Sequence, residues 1–364
     1  MTAIKLQHRI RELGISIGKM ESGERNSITD VLGVSVGHVT LIRGEGRLTP
    51  GHGPIRTGVT VILPHEKNVY QEKVRAGVHV HNGAGELTGA LQVMEWGLLE
   101  TPIALTNTLN VGLVHDAVVD YMIEQNPDIG DQADVVLPMV GECDDSYLND
   151  IQGRHVKGEH VFEAIKKASE DVAEGSVGAG TGMSALGFKA GIGTASRRTS
   201  SLAGELALGV LVLANFDGDL CVDGVPVRRK LQATKDSQKT NRSIITVIAT
   251  DAPVDSSQLH RIAARVPLAL GRVGSRSSNS SGDISIAFST AERISASSGQ
   301  VLIPAQTVTS QLLNELFEAA IEATEEAILN SIFMSETMKG RDDHVSQGVP
   351  VDEVLEIMRK HGRL

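Results

Sequence analysis

The sequence predicts a layered α/β fold, with helices packed outside β-sheets, on three observations. Runs rich in β-branched residues and bounded by Gly or Pro recur along the chain, and helix-periodic segments lie between them. The two do not alternate strictly, which favours sheets with antiparallel neighbours over a doubly wound parallel sheet.

In chain order, strands are expected at "VLGVSVGHVTL" (31–41), "TGVTVILP" (57–64) and "AGVHVHN" (76–82). A helix follows over 85–99, where Leu87, Leu91 and Met94 fall on one side with Trp96 nearby. "DVVLPMV" (134–140) reads as a strand, 160–173 as a helix and "LGVLVLANF" (208–216) as a strand. A polar run from Arg228 through Arg242 carries six Lys or Arg residues and stops at Ser243, where an apolar β-branched strand (243–250) begins. After it come a helix from about Asp255, a strand over 283–289 and a long helix from 310. In that last helix Leu313, Phe317, Ile321, Thr324 and Ile328 form one stripe, and Gly340 follows its end. No internal repeat is visible.

Composition narrows the function. A formal net charge of −11 excludes a general nucleic-acid binder, which needs a basic face. Two cysteines, Cys143 and Cys221, cannot build a disulfide framework and fit a reducing compartment. The N-terminus MTAIKLQHRIRELG lacks the apolar core of a signal peptide, and no later segment is apolar for long enough to span a membrane. A cytoplasmic enzyme is expected, with no nucleic-acid or membrane partner.

The chemistry is read from four places. Ser243 stands where an exposed loop meets a buried strand. A serine hydroxyl needs a base, and neither a Gly-x-Ser-x-Gly elbow nor a Ser-His-Asp setting is present. Cleavage between Arg242 and Ser243 creates one, because the freed α-amine, with an unperturbed pKa of about 7.7–8.0, is well matched to neutral pH. In "NSSGDISIAFST" (279–290), Ser281 and Asp283 are two apart on a strand and share a face, suited to orienting an adjacent ammonium. Asn215 ends an apolar strand and is placed to donate to an oxyanion, or else to form a turn before Asp217-Gly218. Glu142 follows the strand 134–140 and is either a solvated loop acid or the anchor of a substrate amine.

Other signals weigh less. Gly178, Gly180 and Gly182 lack the strand-loop-helix setting of a dinucleotide site and read as close backbone packing. His79 and His81 share a strand face without a third metal ligand in reach. Cys143 beside Glu142 is a poor thiolate.

Together these segments resemble the DmpA-like L-aminopeptidase/D-esterase and β-peptidyl aminopeptidase family. The resemblance is carried by "NSITDVLGVSVGHVTL" (26–41), "HNGAGELTG" (81–89), "NTLNVG" (107–112) and "GECDDSYLND" (141–150). "GSVGAGTGM" (175–183), "SIITVIATDAP" (243–253), "SSGDISIAFST" (280–290) and "ETMKGRDDH" (336–344) extend it over nearly the whole chain. It implies a single αββα domain over 1–364, a four-layer sandwich like that of N-terminal-nucleophile hydrolases but with its own connectivity. It implies self-cleavage into an α chain 1–242 and a β chain 243–364, and assembly as a homotetramer of αβ units. Ser243 becomes the nucleophile, Ser281 and Asp283 its partners, Asn215 the oxyanion donor and Glu142 the amine anchor, with no metal or cofactor. Substrates are small peptides, amides or esters with a free amino group. Four positions depart from the pattern: Arg242 stands where Gly or Asn is frequent, Asp283 where β-peptide-cleaving members carry Glu, and Cys143 and Ser146 replace Thr and Gly. Two other classes remain open on the residues: an acyltransferase of related architecture, disfavoured by Ser in place of Thr, and an uncut binding protein, favoured by Arg242.

Overall fold

The computed structural model describes residues 7–199, 204–231, 243–295 and 305–364. Arg242 therefore lies outside the described residues. In chain order the first strands and helices are β1 (Ser35–Arg43), β2 (Ile55–Leu63), β3 (Glu72–Gly83), α1 (Ala90–Trp96), β4 (Leu98–Leu99), β5 (Ile103–Asn107), α2 (Val111–Gln125), β6 (Met139–Cys143) and α3 (Gly158–Lys166). There follow β7 (Ser184–Ala185), β8 (Phe188–Lys189), β9 (Ile192–Arg198), β10 (Ala207–Asn215), β11 (Ser243–Thr250), α4 (Ser256–Ala263), α5 (Val266–Val273) and β12 (Gly282–Ser295). The chain ends with α6 (Ser310–Phe333), β13 (Met338–Lys339), β14 (Val345–Ser346) and α7 (Val351–Lys360).

Two sheets carry the architecture. One is four-stranded in the order β1-β2-β5-β6, and the other six-stranded in the order β4-β3-β12-β11-β10-β9. Only β5/β6 and β11/β12 pair parallel within them. The facing sides are apolar: Val36, Ile62, Ile103, Leu105 and Met139 of the first sheet pack with Leu211, Leu213, Ile245, Val247 and Ile286 of the second. Helices α2 and α3 cover the outer face of the small sheet. Helices α4 and α6 cover the outer face of the large one, with α5 against α6. The order is helix, sheet, sheet, helix: the expected αββα sandwich.

Boundaries moved where a local rule overrode the apolar pattern. The helix read over 85–99 shrinks to α1 because Gly89 and Gly97, at φ 72° and 69°, cap its ends and Leu98–Leu99 leave as a strand. The helix read over 160–173 spans Gly158–Lys166. The strand read over 134–140 starts only at Met139, after Pro138, which has no N–H to give a ladder, and it runs on through Cys143. Glu142 is thus inside a strand, not after one. Ser281 falls one residue before β12.

Candidate active site

Strands β10 and β11 are antiparallel neighbours, and their ends bring Asn215 directly opposite Ser243. Such partners stand about 4.5–5.5 Å apart at Cβ. Side chains alternate along both strands: Leu211, Leu213, Ile245 and Val247 face the other sheet, while Val210, Val212, Ile244 and Ile248 face the helices. By that period Asn215 and Ser243 both open into the space between the sheets. On its other side Ser243 is paired with Gly282 of the parallel strand β12, so Ser281 and Asp283 flank the residue beside it.

Ser281 Oγ donates to Asp283 Oδ1 at 2.5 Å, and Asn82 Nδ2 donates to Oδ2 at 2.8 Å. Asn82 reaches that carboxylate because β3 bulges: Asp283 pairs with Asn82 but Ile284 with Val80, which leaves His81 as the extra residue. On β3, His79 meets the His260 ring edge-on at 5.6 Å. Among the described residues no three His, Cys, Asp or Glu side chains cluster as a metal site.

Glu142 reaches the site from the opposite sheet. The backbone N–H of Glu86 donates to its Oε1 at 3.0 Å, and the Thr108 hydroxyl donates to Oε2. Thr108 is held in place by the turn that Asn107 caps, its Oδ1 accepting from Asn110 N at 3.1 Å. A Cβ on Gly85 would lie 3.2 Å from Glu142 Oε1 and 3.0 Å from the α-carbon of Gly282. Two glycines therefore let the Glu142 carboxylate approach the strand that flanks Ser243.

Asn215 is clamped at both ends of its amide. Its Oδ1 accepts from the backbone N–H of Ser184 at 3.0 Å, and its Nδ2 donates to the Asp144 carbonyl at 2.8 Å. The five side chains Asn215, Ser243, Ser281, Asp283 and Glu142 are all 2–4 % exposed. Burial raises the pKa of Glu142, against the lowering effect of its two hydrogen bonds. The Cys143 thiol is pushed well up by burial and then by Glu142, and its Sγ lies 3.5 Å from the Leu213 carbonyl, so it is no nucleophile.

The five described residues singled out in the sequence lie around the neighbouring ends of β6, β10, β11 and β12. Sequence reading missed Thr108, Asn82 and the backbone groups at Ser184, Glu86 and Asp144. For Thr108 the matching segment "NTLNVG" was a signal without a role attached; the rest come together only through strand register.

Two facing sheets covered by helices on their outer sides have the layered architecture of the N-terminal-nucleophile hydrolases, with a buried serine at the strand ends near buried acids. The model of peptidase family S58 matches residues 26–346. The β-peptidyl aminopeptidase BapA of Sphingosinicella microcystinivorans is 42 % identical over 374 residues, covering 98 % of this chain and 93 % of that protein. Among solved structures, the PH0078 protein of Pyrococcus horikoshii OT3 superposes with a TM-score of 0.94 at 52 % identity, covering 98 % of this chain and all of that one. The L-aminopeptidase D-Ala-esterase/amidase of Ochrobactrum anthropi, described as a prototype for the serine aminopeptidases and a new variant of the Ntn hydrolase fold, gives 0.91 at 36 % identity and covers 98 % and 99 %. The chain belongs to peptidase family S58 and is a hydrolase of the aminopeptidase type.

Proposed function

We propose that the protein cleaves itself between Arg242 and Ser243, leaving chains 1–242 and 243–364, and that the new N-terminal serine releases N-terminal residues from short peptides, amides or esters. The observation that carries this reading is charge. Glu142 and Asp283 are buried at the strand ends around Ser243, and among the described residues neither is paired with a Lys or Arg; their partners are the neutral donors Glu86 N–H, Thr108, Ser281 and Asn82. Buried carboxylates without a cation are expensive. Two ammonium groups answer that need: the substrate's at Glu142, and the Ser243 α-amine beside Asp283.

In the proposed cycle the substrate's ammonium sits against Glu142 and Ser243 Oγ attacks its carbonyl carbon. The α-amine takes the hydroxyl proton, and Asp283 with Ser281 stabilises the resulting ammonium. Asn215 donates to the oxyanion, a contribution worth about 3 kcal/mol in comparable sites. The ammonium then gives its proton to the leaving group, and water hydrolyses the acyl-enzyme by the same path in reverse. We place this enzyme in the cytoplasm, as the cysteine usage suggests; among the described residues no helix is long and apolar enough to cross a membrane. Assembly as a homotetramer of αβ units draws support from Leu91, Met94 and Trp96, which α1 leaves exposed, and light scattering reads it.

Intact-mass analysis of the purified protein is expected to show two chains, the smaller beginning SIITV. Ser243→Ala is expected to remain one chain and to lose at least about 10⁴-fold in turnover. Retained turnover in that variant overturns the proposal.

A further inference from the structure

Lys189 lies on β8 with no exposed surface, next to the site but outside the cycle above. Its Nζ donates to three backbone carbonyls, Ala190 at 2.5 Å, Met183 at 2.7 Å and Gly180 at 3.3 Å. An ammonium has three N–H groups, and all three are spent on the turn over 180–190. Burying that charge costs several kcal/mol that an apolar side chain filling the same space would avoid.

What the ammonium holds is the peptide between Met183 and Ser184. The carbonyl of that peptide accepts from Lys189, and its N–H donates to Asn215 Oδ1 at 3.0 Å. At the other end of the Asn215 amide, Nδ2 donates to the carbonyl of Asp144 at 2.8 Å. The next residue, Asp145, is fully buried and accepts from Asn149 Nδ2 at 2.9 Å. A Cβ on Gly182 would lie 2.8 Å from the Asp145 Cβ, so this carboxylate packs against the very turn that Lys189 grips. Burial lowers the Lys189 pKa and raises that of Asp145, while the Asp145 charge acts to keep Lys189 protonated. Each peptide that clamps Asn215 thus adjoins a buried ionisable side chain, Lys189 through its hydrogen bond and Asp145 through the chain.

We infer that Lys189, with Asp145 as its counter-charge, is a positioning residue for the oxyanion donor: it anchors the Met183–Ser184 peptide and so fixes which end of the Asn215 amide faces the reacting carbonyl. This rests on the assignment of Asn215 as oxyanion donor given above. A peptide N–H gripped through its own carbonyl is also polarised, which strengthens the bond to Asn215.

The test compares Lys189→Met, Asn215→Ala and the double variant, each in the full-length chain after maturation, with alanine p-nitroanilide as probe. Lys189→Met is expected to lower kcat about 10- to 100-fold with KM within about twofold, and to cost less than about twofold in the Asn215→Ala background. A merely structural role predicts independent losses that multiply, and that result overturns the inference, as does an unchanged kcat. Should Lys189→Met give insoluble or uncut protein, the isosteric Asp145→Asn carries the same test: a loss confined to kcat supports the inference and an unchanged kcat overturns it. If Asn215→Ala itself leaves kcat intact, the oxyanion assignment fails; if only Lys189→Met and Asp145→Asn do, the inference alone fails.

Discussion

Two clusters of buried charge, an outer one between the six-stranded sheet and α6 and an inner one at the strand ends around Ser243, are built on opposite plans. In the outer cluster Arg197 is wholly buried and meets Glu322 at 3.0 Å and Glu326 at 2.7 Å on α6. Its remaining N–H groups go to the carbonyls of Ser196 and Ile17, while Glu322 also accepts from the N–H groups of Lys19 and Met20. Arg11 closes the cluster on Glu326. Every charge there has an opposite charge in contact. In the inner cluster Glu142 and Asp283 have hydroxyl, amide and peptide donors instead. The first plan holds the N-terminal segment and α6 to the sheet; the second keeps a negative potential in reserve. Burial alone does not separate structural from functional charge. The presence of a built-in partner does.

Breaking the outer cluster should therefore cost stability and not chemistry. Arg197→Met leaves buried Glu322 without a cation and Glu326 with Arg11 alone, and is expected to cost about 3–5 kcal/mol. Chemical denaturation is best read in the uncut Ser243→Ala background, where the chain is one polypeptide. The kcat/KM of matured, folded Arg197→Met should stay within about twofold of the parent. A large loss of kcat there would dissolve the contrast between the two clusters.

Glu142→Gln should do the reverse. It keeps the shape and removes the charge, so kcat/KM for a substrate with a free amine is expected to fall about 10²-fold, mostly in KM. Because burial raises the Glu142 pKa in the folded chain, the folded state binds that proton more tightly than the unfolded one. The charged carboxylate is thus a stability penalty above the raised pKa, and the penalty fades as pH falls through it. Glu142→Gln should melt higher than the parent at neutral pH, with the gap closing in acid. The parent's kcat/KM should drop on an acid limb lying above the ordinary carboxylate range, and that limb should be missing in Glu142→Gln. A variant that melts lower at neutral pH, or keeps the limb, would place Glu142 with the structural charges.

Much of the inner cluster was legible because strand patterning is local. The β-branched run after Ser243 and the alternation in "GDISIAF" locate β11 and the start of β12 to within a residue, though β12 runs on to Ser295. The outer cluster was not legible. Strand β9 reads "IGTASRR", polar and basic, yet all but its last residue are buried, because the partners that neutralise Arg197 lie more than a hundred residues away on α6. Helix α2 escaped notice because Val111, Val114 and Val118 are poor helix formers, and its stability comes from packing on the small sheet. The segment after Val266 hides its helix behind Pro267, which sits harmlessly in the first turn. Pairing across long sequence separations is invisible to any window, and Asn82, Thr108 and Ser184 enter the site only that way.

Strand order carries a consequence for the proposed cut before Ser243. In the large sheet β12 and β11 lie between β3 and β10, so residues on the C-terminal side of Ser243 fill the middle of a sheet whose flanks come from the N-terminal side. Before the cut, folding is unimolecular and the two parts meet at the effective concentration set by their tether. After it, the parts remain locked by ladders on both edges, but assembly from the denatured state becomes a second-order encounter whose yield depends on protein concentration. The proposed maturation would then act as a ratchet: it exchanges the ability to refold alone for a nucleophile, and the cut enzyme persists by slow unfolding more than by easy return.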